Sequence, residues 1–146
     1  MAYLGESGYL RTARAIMDVA DAIRRGVESI PELVLIGDPT FLVSFRSDTV
    51  DIFHVNDFMK TKGWRFNCLQ LPPALHFCVT LPSTAVTGIA DRMIADLKDA
   101  VAYAREKAGT PAQSSALYGI AGSVEGNQMV NELLCGVFDY MYELYD

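Results

Sequence analysis

Apolar residues recur at steps of three and four between Ser7 and Val27, at Leu10, Ala13, Met17, Ala20, Ile23 and Val27. A helix turning every ~3.6 residues carries such positions on one face. Ser7 suits its N-cap, and Pro31 lies beyond its end. The period then changes. Leu33 to Ile36 is a short apolar run closed by the turn signal Gly37-Asp38-Pro39. Phe41, Val43 and Phe45 then alternate with Leu42, Ser44 and Arg46, the pattern of a half-buried strand, so the two runs predict a hairpin. A cap at Asp48 or Thr49 opens a second helix through Lys62, with Ile52, Val55, Phe58 and Met59 inward and Gly63 as its stop.

Alternation returns twice. Trp64, Phe66 and Cys68 mark a third strand, and Leu75, Phe77, Val79 and Leu81 a fourth. Pro72-Pro73 cannot donate to a central ladder and marks the connection between them. Ser83 or Thr84 starts a helix with Ile89, Met93, Leu97, Val101, Ala104 and Ala108 on one side, ended by Gly109. Residues 110–126 hold Gly119, Gly122 and Gly126 and no steady period, so they read as a loop arm. Asn127 caps a last helix with Val130, Leu133, Leu134, Val137, Met141 and Leu144 inward. The order α-β-β-α-β-β-α-loop-α predicts an α+β fold: about four strands, mainly antiparallel, with helices on one face. The expected organisation is an α+β domain with its N-terminal linking helix over 1–109, the loop arm over 110–126, and a helix of the same domain over 127–146. Met1 to Gly5 reads as a cut end, with the first helix leading out of a preceding domain.

Composition narrows the function more than the fold. With 51% apolar and 21% charged residues, the chain can pack a core. A net charge of -6 argues against nucleic acid as a partner, because phosphate binding needs a positive surface. Arg24-Arg25 is the only adjacent basic pair. Cys68, Cys78 and Cys135 form no C-x-x-C pair, so neither zinc nor another metal is expected. They read as reduced core thiols of a cytoplasmic protein. No secretory signal pattern is present, and no apolar run reaches the ~20 residues of a membrane span.

Candidate catalytic groups are few. His54 on the second helix and His76 on the fourth strand have no carboxylate or nucleophile at a linking spacing, so both read as satisfied structural histidines. Asp91, Asp96 and Asp99 share a helix with Arg92 and Lys98, the mixed charge of a solvated face. Lys60, Lys62, Lys98 and Lys107 are the only lysines, all at exposed helical positions unsuited to covalent amine catalysis. No dinucleotide, P-loop or nucleophile-elbow motif occurs. Tyr118 stands out, in the glycine-flanked run Ala116-Leu117-Tyr118-Gly119-Ile120-Ala121-Gly122. Its phenol could donate to phosphate or carboxylate oxygens, or simply plug the loop onto the domain.

Four stretches together carry a resemblance: Gly5-Glu6-Ser7-Gly8-Tyr9, Met59 to Phe66 (MKTKGWRF), Leu69 to Leu81 (LQLPPALHFCVTL) and Leu117 to Ala121 (LYGIA). In order and spacing they resemble the C-terminal part of the sphingosine-1-phosphate lyase family, pyridoxal-phosphate enzymes related to the group II amino-acid decarboxylases. LQLPPALHFCVTL is the specific match. The resemblance implies the small C-terminal domain of a fold type I enzyme. It also implies a homodimer that cleaves a phosphorylated long-chain (sphingoid) base to a fatty aldehyde and phosphoethanolamine. The residues that hold pyridoxal phosphate are implied to lie in a large domain preceding this chain, leaving no cofactor-binding residue here. Of family site residues only the tyrosine of the LYG loop has a match, Tyr118, which would face the active-site entrance and hold the substrate phosphate or assist proton transfer. The competing expectation is a stand-alone α+β ligand-binding or protein-interaction module using the uncovered face of the sheet.

Overall fold

The computed structural model describes residues 3–115 and 124–143. The elements run α1 (Gly5–Glu28), β1 (Val34–Leu35), β2 (Leu42–Arg46), α2 (Ile52–Thr61), β3 (Asn67–Gln70), β4 (Pro73–Cys78), α3 (Leu81–Thr84), α4 (Ile89–Glu106) and α5 (Val124–Tyr142). The four strands form one antiparallel sheet in the order β1-β2-β4-β3. Register places Val43 opposite Phe77, and Phe45 opposite Leu75, which also faces Cys68. This side of the sheet is the core. Val43, Phe45 and Leu75 are buried there together with Ile23 and Val27 of α1, Val55 and Met59 of α2, and Met93 and Leu97 of α4. Each fully buried side chain of this size contributes about 1.5–3 kcal/mol of transfer free energy.

Helix packing is close where α1 crosses α4. A Cβ built on Gly26 would lie 2.2 Å from Ile94 Cγ1, so only glycine fits that crossing. The N-terminal half of α1 is different, because among the described residues most of it is left exposed. Leu10 is 60% exposed and Ala13 is also exposed. The predicted inward face is therefore buried only from Ala20 onward, with Ile16 and Met17 half-buried. Ser7 lies inside the helix, which begins two residues earlier with no side-chain cap.

Several boundaries differ from the sequence expectation. Asp51, not Asp48 or Thr49, caps α2 by accepting the Phe53 N–H at 2.9 Å, while Asp48 pairs with Arg46. Trp64 and Phe66 precede β3 and turn into the core, where Phe66 meets Phe45 edge-on at 5.7 Å between centroids. Leu71-Pro72 forms the turn between Gln70 and Pro73, which pair, and its peptide is cis. Pro73 opens β4, a position where its missing N–H is tolerated. Val79 and Leu81 lie beyond that strand. The helix expected to run from Ser83 or Thr84 to Gly109 is broken in two by Gly88, which adopts φ +69. Glycine reaches that left-handed conformation without a Cβ clash.

The last helix departs most. α5 begins at Val124, ahead of Asn127, and Leu133, Leu134, Val137 and Met141 are exposed, not inward. The side chain of Val130, and Leu144, lie outside the described residues, as does Tyr118. No described helix is long and apolar enough to cross a membrane.

Candidate functional site

The polar groups that the fold brings together lie where α2 meets residues 110–115. α2 turns one face into the core through Ile52, Val55 and Met59, and this rotation carries His54 and Asp57 toward the C-terminal end of α4. His54 is 4% exposed, and its Nε2 lies 2.8 Å from the Thr110 carbonyl oxygen, with the Tyr103 ring edge-on at 6.2 Å. In the Nε2–H tautomer the ring donates to that carbonyl. The imidazole is thus committed to holding the chain after α4, as expected for a structural histidine. A cleft of about 530 Å³ opens beside it, lined by His54, Asp57, Phe58, Tyr103, Lys107 and Gln113 among others.

One turn further along α2, Asp57 gathers three donors from the next segment. Gln113 N–H donates to Oδ2 at 2.6 Å, and Ser114 N–H lies 3.2 Å from Oδ1. The Ser114 hydroxyl also donates to Oδ1. Asn56 Nδ2 and Lys60 Nζ donate in turn to Ser114 Oγ, at 2.8 and 2.9 Å. Serine beside lysine and aspartate could suggest a nucleophile. Ser114 is 5% exposed, however, and its hydroxyl is occupied both as donor and as acceptor, so no substrate can reach it. Asn56 also donates to Cys68 Sγ at 3.2 Å, while its Oδ1 is buried with no hydrogen-bond partner among the described residues. Burial pushes the Cys68 thiol above its ordinary range, and Lys60 nearby opposes that rise. Cys68 is therefore kept as the neutral thiol.

The remaining candidates lie apart. His76 is on the opposite side of the sheet from His54, half-buried, with Nε2 3.0 Å from Asn67 Nδ2 and Ser44 next to it in register. The two histidines cannot act together. Asp91 and Asp99 are exposed, in keeping with a solvated face, but Asp96 is not: it accepts the Trp64 Nε1–H at 2.7 Å and pairs with Lys62. Arg92 stacks over the same indole at 4.9 Å, which makes this a structural cation–π contact. Among the described residues, no three His, Cys, Asp or Glu side chains gather as a metal-binding group. Cys135 is exposed on α5, whereas a core position was expected.

A second feature is apolar. Ala13, Ile16 and Met17 of α1, Phe41, and Val79 and Leu81 beyond β4 line an open groove of about 480 Å³.

The contacts of Asp57, Asn56, Lys60 and Ser114 have no counterpart in the sequence expectation. The partners stand 54 to 58 positions apart, and no local period marks them.

No family model matches the chain. A sphingosine-1-phosphate lyase of Oryza sativa subsp. japonica is 44% identical over 141 residues, which is 95% of this chain and 26% of that protein. A solved sphingosine-1-phosphate lyase from Burkholderia pseudomallei superposes with a TM-score of 0.74 at 39% identity, over 99% of this chain and 28% of that one. A mutant C-DES structure with glycine covalently linked to its PLP cofactor shares the fold alone, at TM-score 0.51 and 17% identity over 59% of this chain. The chain thus spans about a quarter of the length of the lyases it matches.

Proposed function

The chain is a homologue of the C-terminal part of sphingosine-1-phosphate lyase, and from that relationship we propose that it is the accessory domain of a pyridoxal-phosphate-dependent carbon–carbon lyase. The substrate class is a phosphorylated long-chain base, cleaved to a fatty aldehyde and phosphoethanolamine. The observation that carries this reading is the extent of the similarity: 95% of this chain aligns with the rice enzyme but only 26% of that enzyme with this chain. The similarity is that of one part of a larger protein.

The described residues do not fit the cofactor. A lysine that binds pyridoxal phosphate covalently must be desolvated to present a free amine. Here Lys60 is 52% and Lys62 41% exposed, each within 3.9 Å of a carboxylate. Lys107 lies over the Tyr103 ring, and Lys98 is exposed. The cofactor and its lysine therefore belong to the portion of the enzyme that this chain does not cover. The present chain supplies part of the active-site entrance. Tyr118 faces the substrate there and holds its phosphate or assists proton transfer, in a cytoplasmic homodimer. The large domain packs against the apolar surfaces left open by the described residues, the N-terminal half of α1 and the stripe on α5. A stand-alone module would have no use for so much exposed apolar side chain.

A chimera tests the reading. In the Burkholderia enzyme the corresponding 28% is replaced by this chain. The chimera is expected to release fatty aldehyde from a phosphorylated long-chain base, and the isolated chain to release none. A folded chimera that binds cofactor yet leaves every such base intact would overturn the proposal.

A further inference from the structure

The cleft of about 530 Å³ beside His54 is walled by two half-buried rings, Phe58 of α2 and Tyr103 of α4. Their centroids lie 5.3 Å apart, and the planes are tilted by 40°. Most polar groups around this wall are already engaged. His54 Nε2 is committed to the Thr110 carbonyl, and the Thr61 and Thr110 hydroxyls donate to the carbonyls of Phe58 and Lys107, each at 2.7 Å. Asp57, the one acid of the lining, accepts from Gln113 N–H and from the N–H and hydroxyl of Ser114, with Lys60 Nζ 3.9 Å away. Those donors and that cation offset its charge within the protein. Two side chains are left over. Lys107 Nζ stands over the Tyr103 ring, 5.7 Å from its centroid, without a carboxylate partner among the described residues. The Gln113 amide likewise has no side-chain hydrogen bond among them.

We propose that this cleft is a binding site for a small, flat aromatic monoanion, with its rings on Phe58 and Tyr103 and its carboxylate on Lys107 and Gln113. The unspent groups decide the charge. One unpaired ammonium and one amide donor suit a single carboxylate, whereas a cationic ligand would meet Lys107 and find Asp57 already satisfied. The wall decides the shape, because aromatic rings gain more from offset or edge contact with another ring than from area burial alone. An apolar wall with a few placed polar groups is the general plan of small-molecule sites, and the cleft has the volume for one. Only α2, α4 and residues 110–113 line it, so the site stands apart from the assignment of the chain to a lyase.

Titrating 2-naphthoate into the full chain, followed by amide proton–nitrogen correlation spectra, tests the site. The amides of Tyr103, Lys107, Thr110 and Gln113 should shift together and saturate, with a dissociation constant of about 1 mM or below. Lys107→Gln lies at an exposed position and should weaken binding about two- to fivefold, with Lys107→Arg restoring it. The neutral isostere 2-naphthamide should bind the wild type more weakly by a similar factor of about two to five. Phe58→Leu keeps an apolar wall but removes one ring, and should weaken naphthoate about two- to tenfold. Equal affinity for acid and amide, or unchanged affinity in Lys107→Gln, would overturn the proposal. So would shifts confined to Ile16, Met17 and Phe41, which would put the probe in the apolar groove, or the absence of any saturable shift.

Discussion

Two helices of this chain carry apolar stripes of equal clarity and meet opposite fates. In α4 the stripe of Met93, Leu97, Ala100, Val101 and Ala104 is buried against α1 and α2. In α5 the stripe of Leu133, Leu134, Val137 and Met141 is open, with exposures from 44% to 67%. The periodicity is the same in kind, since both follow the helical turn. The difference is whether the described chain supplies a surface to receive the stripe. A hydrophobic pattern specifies that a face must be covered, but says nothing of what covers it. The same contrast divides α1, whose C-terminal half is core and whose N-terminal half borders the apolar groove.

The contrast can be broken most strongly on its packed side. Phe45→Ala removes a fully buried ring that meets Phe66 and the Leu75 register pair. It should destabilise the isolated chain by about 3–5 kcal/mol, read by urea unfolding. A loss under ~1 kcal/mol would mean that the core is loosely formed. Next in size is Asp51→Ala, which strips the cap from α2 and should cost about 0.5–2 kcal/mol in the same measurement. An equal effect from Thr49→Ala would return the cap to the position expected from sequence. The smallest change is on the open side. Leu133→Ser with Val137→Ser should alter the stability of the isolated chain by no more than ~0.5 kcal/mol, because neither side chain is buried there. In the chimera the same pair should cost several times more, and a large cost in the isolated chain would show that α5 packs on its own domain.

Much of the packed half could be read from the sequence. The alternation Val43-Ser44-Phe45 and the run through Leu75 and Phe77 placed two central strands, because one buried face imposes a period of two. The helical stripe of α4 was equally legible, and that of α1 from Ala20 onward. Boundaries were less so. Gly88 breaks the third predicted helix through its backbone conformation, while the apolar spacing runs on across it. Asp51 is the cap because α2 starts at Ile52, three residues after the bend that Asp48 and Thr49 occupy. The candidate site lay mostly beyond reach. His54 was recognised as structural, but its carbonyl partner and the Asp57–Ser114 contact join segments 56 and 57 positions apart. Contacts over such separations arise from tertiary packing and leave no local pattern. Tyr118, singled out through the LYG resemblance, lies outside the described residues.

Under the proposed function, this chain completes a pyridoxal-phosphate lyase without binding the cofactor itself. Titrating pyridoxal phosphate into the isolated chain and into the Burkholderia chimera, while following the cofactor absorbance band, tests it most directly. A saturable shifted band is expected in the chimera and none in the isolated chain. A saturable shifted band in the isolated chain would contradict it, by showing that these residues hold the cofactor on their own.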